Sequence, residues 1–289
     1  MNPGGGVPAN AMTVRRALAA SGLVPVDANA LLAHVLGVDR AWLIAHATDP
    51  LPRERADAFF ALAKRRRDGE PVAYLTGTRE FRGLRLAVSP AVLVPRPETE
   101  TLVEVALERL PRDRDLRVLD LGTGSGAIAL AIADERPRAR VVATDVSTAA
   151  IEIAQGNAAR LELANVEFRH GDWYAALEPA DGPFDLIGAN PPYVAAGDPH
   201  LDQGDLPHEP AVALSPGGDG LDALRAIVTG ATSRLVAGGS LVVEHGYDQA
   251  DEVRALFEAA GFEVVASRRD LAGIPRVTAG RTGGSGSGT

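Results

Sequence analysis

The sequence predicts an α/β protein: a doubly wound, mostly parallel sheet with an antiparallel last strand, preceded by a small helical bundle. Three observations predict it. From about residue 97, short apolar strands alternate with helical stretches, the rhythm of βα units. The last two apolar strands, Phe262–Ser267 and Arg276–Gly280, have no helix between them and so pair antiparallel as a hairpin. Residues 13–69 carry helical signals alone.

The elements follow in chain order. Thr13 caps a helix to about Ser21, with Gly22 as its stop. Asp27 caps the next, which Gly37 ends; Asp39 begins a third, and Pro52–Arg67 makes a fourth. Leu31, Leu32, Val35 and Leu36 form a helical stripe that supplies the bundle core. Lys64-Arg65-Arg66-Arg67 has two readings: complement to the helix dipole, or contact with an RNA or protein partner. Residues 71–77 and 80–88 alternate and carry turn glycines, so 71–96 is expected to be a β-hairpin linker. Helices are then expected at Thr99–Leu110, Ala127–Glu135, Thr148–Leu161, Leu221–Leu235 and Gln249–Ala260. The strands between them are Leu116–Leu121, Arg140–Thr144, Val166–Arg169, Phe184–Ala189 and Ser240–Glu244. This gives a helical domain at 13–70 and a sheet domain at 97–282, with a disordered leader at 1–12 and a flexible tail at 283–289.

Composition excludes several classes. Hydrophobic residues are 46% and charged residues 23% of 289, so the chain is globular rather than disordered. No apolar run approaches the roughly 18 residues of a membrane span. Net charge is 29 minus 38, or −9, which weighs against a protein that grips duplex nucleic acid through phosphates. With no cysteine there is no disulfide, thiolate nucleophile or cysteine-ligated zinc, which fits a reducing compartment. His34, His46, His170, His200, His208 and His245 show no metal-ligand spacing, so no metal is expected.

The clearest local signal is Val118-Leu-Asp120-Leu-Gly122-Thr123-Gly124-Ser125-Gly126-Ala127, which follows a strand and opens a helix. Its glycines permit a sharp turn and close approach of a ligand to free helix N–H groups. A dinucleotide also satisfies this glycine spacing. Its pyrophosphate would be repelled by Asp120, whereas S-adenosylmethionine carries an ammonium and a sulfonium that an acid helps to hold. Asp145, 19 residues after Gly126, ends the next strand and suits paired ribose hydroxyls. Gly171-Asp172-Trp173 follows the third strand of the sheet domain. Asp172 there suits an adenine amino group, and Trp173 either packs near the base or belongs to the core.

A second signal is Asn190-Pro191-Pro192-Tyr193, at the carboxyl end of a buried strand. Two prolines fix φ and remove two donors, so the chain there is stiff and its carbonyls are free to accept. Asn190 adds a side-chain carbonyl and Tyr193 a flat face. Such an acceptor pair suits an NH2 group on an sp² carbon, either a side-chain amide or a nucleobase amine; a plain turn is the bland reading.

The glycine loop, the ATD at 143–145, the GDWY at 171–174 and FDLIGANPPYV together resemble an amino-group S-adenosylmethionine methyltransferase. GEPVAYLTGTREF (69–81), VPRPETE (94–100), DPHLDQGDLPHEP (198–210), VVEHGYDQ (242–249) and RRDLAGIPRVTAGR narrow the resemblance to the release-factor glutamine methyltransferases, the HemK/PrmC type. It spans roughly residues 13–281 with no departure at the motif positions. It implies a Rossmann-like fold, S-adenosylmethionine as cofactor, and a cytoplasmic enzyme acting on the glutamine of the Gly-Gly-Gln motif in class-1 peptide chain release factors. It also implies a substrate-recognition part for residues 13–70 and no stable nucleic-acid or membrane partner. It assigns Gly122–Gly126, Asp145, Trp173 and Asn190 to the cofactor and Asn190–Tyr193 to the substrate amide, with Asn190, Pro191 and Tyr193 carrying catalysis. Asp120 and Asp172 are added on the physical grounds above. Pro95–Glu100 either lines the site or starts a helix. A ribosomal-protein glutamine methyltransferase and a nucleic-acid amino methyltransferase are the rival readings; the second would need a basic target-reading domain.

Overall fold

The computed structural model describes residues 11–284, so most of the expected leader 1–12 and tail 283–289 lies outside them. The described residues form two units, one ending at Gly77 and one beginning at Thr78.

In the first unit, Thr13 Oγ1 accepts from Arg16 N and opens α1 (Val14–Ala20). Helix α2 (Pro25–Leu36) begins before the expected Asp27 cap, because Pro25 at the first position already has the helical φ and no N–H to satisfy. Asp27 instead pairs with Arg66 Nε at 2.7 Å. Gly37 ends α2 at φ +70°, and Asp39 Oδ1 caps α3 (Arg40–Ala45) through Trp42 N. Leu31 and Leu32 are buried with Val14, Leu43 and Phe59, while Val35 and Leu36 pack at the margin. The basic run that ends α4 (Arg53–Arg67) is occupied. Lys64 pairs with Asp68, Arg65 with Glu70 and Arg66 with Asp27, and Arg67 donates to the Ser21 carbonyl. Residues 72–76 form a short helix, α5 (Val72–Thr76), where a strand was expected. Ala73, Tyr74 and Leu75 are all buried, and periodicity cannot separate so short an apolar run from a strand.

In the second unit a hairpin, β1 (Thr78–Phe81) and β2 (Leu84–Ala87), precedes α6 (Thr99–Leu107). Then follow β3 (Leu116–Leu121), α7 (Ala127–Glu135), β4 (Ala139–Asp145), α8 (Thr148–Arg160), β5 (Val166–His170) and β6 (Phe184–Ala189). The chain continues through α9 (Ala211–Leu214), α10 (Asp222–Ala231), β7 (Leu235–Glu244), α11 (Ala250–Ala259), β8 (Glu263–Arg269) and β9 (Pro275–Arg281). The seven-stranded order is β5-β4-β3-β6-β7-β9-β8, with β9 antiparallel to both neighbours as expected of the last strand. β7 starts earlier than expected. Gly238-Gly239 sits at a bulge inside it, where the register against β6 shifts, and so resembles a loop in sequence.

Strand residues alternate between two apolar layers. Val118, Leu186 and Val242 face Leu102 and Val103 of α6 and residues 127–133 of α7. Leu119, Leu121, Ile187, Leu241 and Val243 face Leu224 and Ile227 of α10 and Val253 and Phe257 of α11. Burial on both faces is why these strands read as continuous apolar runs.

Candidate active site

Strand register brings the site residues into one row. Parallel pairing sets Leu121 beside Thr144 and Ala189, Asp145 beside His170, and Ala189 beside Val243. The next residues, Asp145, Gly122, Asn190 and Glu244, therefore line up along the carboxyl edge of the sheet. Strand order reverses between β3 and β6, the switch point where open α/β sheets form a crevice. A cavity of about 580 Å³ opens there. Gly122, Thr123, Gly124, Ser125, Asp145, Asp172, Trp173, Asn190 and Pro192 line it; Asp120, Gly126, Pro191 and Tyr193 do not. Thr99 at the start of α6 and Pro95-Arg96 before it also line the cavity, so this segment both starts a helix and faces the site.

The glycine loop is held from β4. Gly122 N and Thr123 N donate to the Thr144 carbonyl at 2.9 Å each. Asp145 Oδ2 accepts Gly124 N at 2.8 Å and Oδ1 accepts Ser147 N at 2.9 Å. Each carboxylate oxygen keeps lone-pair capacity for a ligand hydroxyl. Gly122 has φ +72°, and a Cβ there would sit 3.3 Å from the Trp173 ring. Trp173 thus walls the cavity and also packs on the second apolar layer. A Cβ at Gly126 would meet Leu130 Cδ1 at 2.9 Å and Ala154 Cβ at 3.3 Å, so that glycine serves helix packing behind the loop.

Asp120 shapes the loop from beneath instead of facing a ligand. It is fully buried, and Oδ2 accepts both Thr123 Oγ1–H at 2.6 Å and Ala129 N–H at 3.2 Å. Oδ1 has no partner. Burial raises its carboxyl to about 7, against the opposing pull of those two bonds. A folded-state value above the ordinary 3.8 means that stability present in acid is lost as pH rises towards about 7. Asp120→Asn can keep both bonds through its carbonyl oxygen while removing the charge. Its melting temperature should therefore gain more on wild type at pH 8 than at pH 5, a comparison made by thermal unfolding.

At the tetrapeptide, Asn190 Nδ2 donates to Thr99 Oγ1 at 3.1 Å. No described residue donates to Asn190 Oδ1 or to the Pro191 carbonyl. Tyr193 is placed as a brace, not as a plate in the cavity. Its ring packs on the second apolar layer and its hydroxyl, kept protonated by burial, donates to Glu244 Oε1 at 3.3 Å. Its carbonyl accepts Gln249 Nε2 at 3.0 Å.

Residues that sequence reading did not single out complete the frame. Asn157 of α8 is buried, donates to the Ser125 carbonyl at 2.8 Å, and bonds Ala87 of the hairpin through both N–H and carbonyl. Arg96 Nη2 meets the buried Glu209 at 2.6 Å, tying the segment before α6 to the loop after the tetrapeptide. Pro210, and Val212 and Ala213 of α9 that follows, line the cavity; His200 and His208 do not. Among the described residues no cluster of three or more potential metal ligands occurs, and no helix is long and apolar enough to cross a membrane.

The doubly wound sheet with a cavity at its switch point defines a ligand-binding α/β fold. Residues 99–219 match the methyltransferase small domain, and a methyltransferase structure from Pyrococcus furiosus shares the fold (TM-score 0.53, 20% identity, 70% of this chain and 90% of that one). Residues 13–77 match the PrmC N-terminal domain. The release factor glutamine methyltransferase of Xylella fastidiosa (strain Temecula1) is 54% identical over 259 residues, 90% of this chain and 94% of the relative. The protein so named in Escherichia coli K12 is 47% identical over 255 residues, 88% and 91% of the two chains. The chain belongs to the release factor glutamine methyltransferase family.

Proposed function

We propose that this chain transfers a methyl group from S-adenosylmethionine to the side-chain amide nitrogen of a glutamine, that of the Gly-Gly-Gln motif in class-1 release factors. The observation that carries the reading is the register that sets Asn190 beside Gly122, with Asn190 lining the cavity and no described residue donating to its Oδ1. The cavity fits the cofactor in size and donors, since about 580 Å³ lies within the usual range for ligand sites. The Gly122–Gly126 backbone would hold its polar end, Asp145 its ribose hydroxyls, and Asp172 and Trp173 its base. When bound, S-adenosylmethionine supplies an electrophilic methyl carbon on a sulfonium.

The remaining work falls to the chain. An amide nitrogen is a poor nucleophile, because its lone pair is delocalised into the carbonyl, and methylation builds positive charge on it. Asn190 Oδ1 accepts one of its N–H groups at the cavity; the Pro191 carbonyl, set back from the cavity lining but with no donor among the described residues, accepts the other, and both stabilise that charge as it develops. They also aim the lone pair, and positioning of this kind supplies roughly 7–11 kcal/mol. The charged amide is acidic enough to lose its proton to a neighbour or to water.

The test is incubation with labelled S-adenosylmethionine and, separately, a release factor, a ribosomal-protein mixture and duplex DNA, with mass spectrometry of the product. Label on the Gly-Gly-Gln glutamine supports the reading; label only on ribosomal protein or DNA overturns it. Asp145→Ala should weaken S-adenosylmethionine binding by about 10–100-fold, the scale of losing hydrogen bonds to a charged group, as measured by calorimetry.

A further inference from the structure

Behind the tetrapeptide lies a second hollow, and Tyr193 and Glu244 line it. Glu244 ends β7 in the row already described, one strand from Asn190. It is 1% exposed. Its Oε1 accepts the Tyr193 hydroxyl at 3.3 Å, while Oε2 has no hydrogen-bond partner among the described residues. The Thr99 hydroxyl lies beside the same carboxyl and favours its charged form. Thr99 Oγ1 in turn accepts Asn190 Nδ2 at 3.1 Å.

Resting on the methyl-transfer reading, we propose that Glu244 is a positioning residue. It holds Tyr193 by its hydroxyl and polarises Thr99, so that Asn190 keeps its carbonyl oxygen towards the incoming amide. A threonine hydroxyl can donate or accept, whereas a carboxylate only accepts. Beside the carboxylate, the Thr99 hydrogen is drawn to Glu244 and its lone pairs are left for an Asn190 N–H. The Asn190 amide then has one orientation, with the carbonyl at the cavity. Without the carboxylate, Thr99 is free to donate to that carbonyl. The amide turns and presents N–H groups to the N–H groups of the substrate, donor against donor.

The neighbours act on Glu244 from several elements. Arg276 of β9 favours its charged form and Glu98 opposes it. Arg96 and Asp205 line the same hollow. His245, the next residue, is held below its ordinary value by burial and bonds the Gly246 carbonyl and Thr278 Oγ1. Burial is the main influence and raises the Glu244 carboxyl to about 7. The ionised form that polarises Thr99 therefore grows as pH rises through that value.

The experiment is steady-state kinetics of the full chain on a release factor, with S-adenosylmethionine affinity measured alongside. Glu244→Gln and Thr99→Val should each lower kcat about tenfold or more, with KM for the protein and cofactor affinity within about twofold. Thr99→Ser, which keeps the hydroxyl, should retain the rate. The double variant Glu244→Gln/Thr99→Val should be no slower than the slower single, because both act through one relay. Wild-type kcat should fall on the acid side of about pH 7, and Glu244→Gln should flatten that limb. A Glu244→Gln enzyme with wild-type kcat, a silent Thr99→Val, or multiplying losses in the double variant would overturn the proposal. If Glu244→Gln does not fold, the Thr99→Val and Thr99→Ser pair decides it. A wild-type chain that methylates no glutamine refutes the methyl-transfer reading itself, a separate result.

Discussion

Asn190→Ala should lower kcat by about 10²–10³-fold, the usual loss when one preorganised group aimed at transition-state charge is removed. S-adenosylmethionine should still bind, because the loop that would hold it is built from β3 and β4. Gly124 N on Asp145 Oδ2, and Gly122 N and Thr123 N on the Thr144 carbonyl, do not involve Asn190. The split between rate and cofactor affinity separates this role from a general collapse of the site. Single-turnover methylation and calorimetry on the same preparation measure both. Turnover equal to wild type would remove Asn190 from its part in the reaction.

What sequence could and could not disclose follows from how local each signal is. The glycine loop is local: positive φ at Gly122, Gly124 and Gly126 demands glycine within a five-residue span. Strand β6 is local too, and Phe184–Ala189 is found where its apolar run placed it. The frame around the tetrapeptide is not. Asn190 meets Thr99 across 91 residues, Tyr193 meets Glu244 across 51, and Gln249 reaches back 56 to the Tyr193 carbonyl. Each partner is a lone polar residue with nothing periodic about it. Glu244 had one legible clue, its position at the carboxyl end of a parallel strand, where Asp145 and Asn190 also stand. Asp120 had another. Alternation along β3 puts it on the same face as Val118, inside the layer of α6 and α7, and so away from any ligand above the sheet edge.

Gly220→Ala should lower kcat by about 10²-fold, although Gly220 lies 27 residues beyond Tyr193 in sequence and lines no part of the cavity. Gly220 has φ +84°, and a Cβ built there would stand 2.4 Å from the Tyr193 carbonyl oxygen and 3.1 Å from both Ala195 N and Gln249 Nε2. A flexible side chain can swing clear of a methyl group; a backbone carbonyl cannot. That carbonyl is moreover pinned by Gln249, whose Oε1 accepts Gly246 N at 2.8 Å. The strain must therefore move the chain at Tyr193. Pro191 and Pro192, with φ fixed, pass the movement to Asn190 as a nearly rigid unit. A displacement near 1 Å at a positioning group is enough for the stated loss. Stability should also fall, by about 1–3 kcal/mol for an overpacked methyl, while cofactor affinity stays near wild type. The control is Gly217→Ala. Gly217 lies in the same loop at φ +91°, so it carries the same kind of backbone strain, but a Cβ there meets nothing within 4 Å. Its kcat should stay close to wild type despite some loss of stability. Equal kcat in the two variants would show that the tetrapeptide does not depend on the contact at Gly220, and that its rigidity comes from the prolines alone.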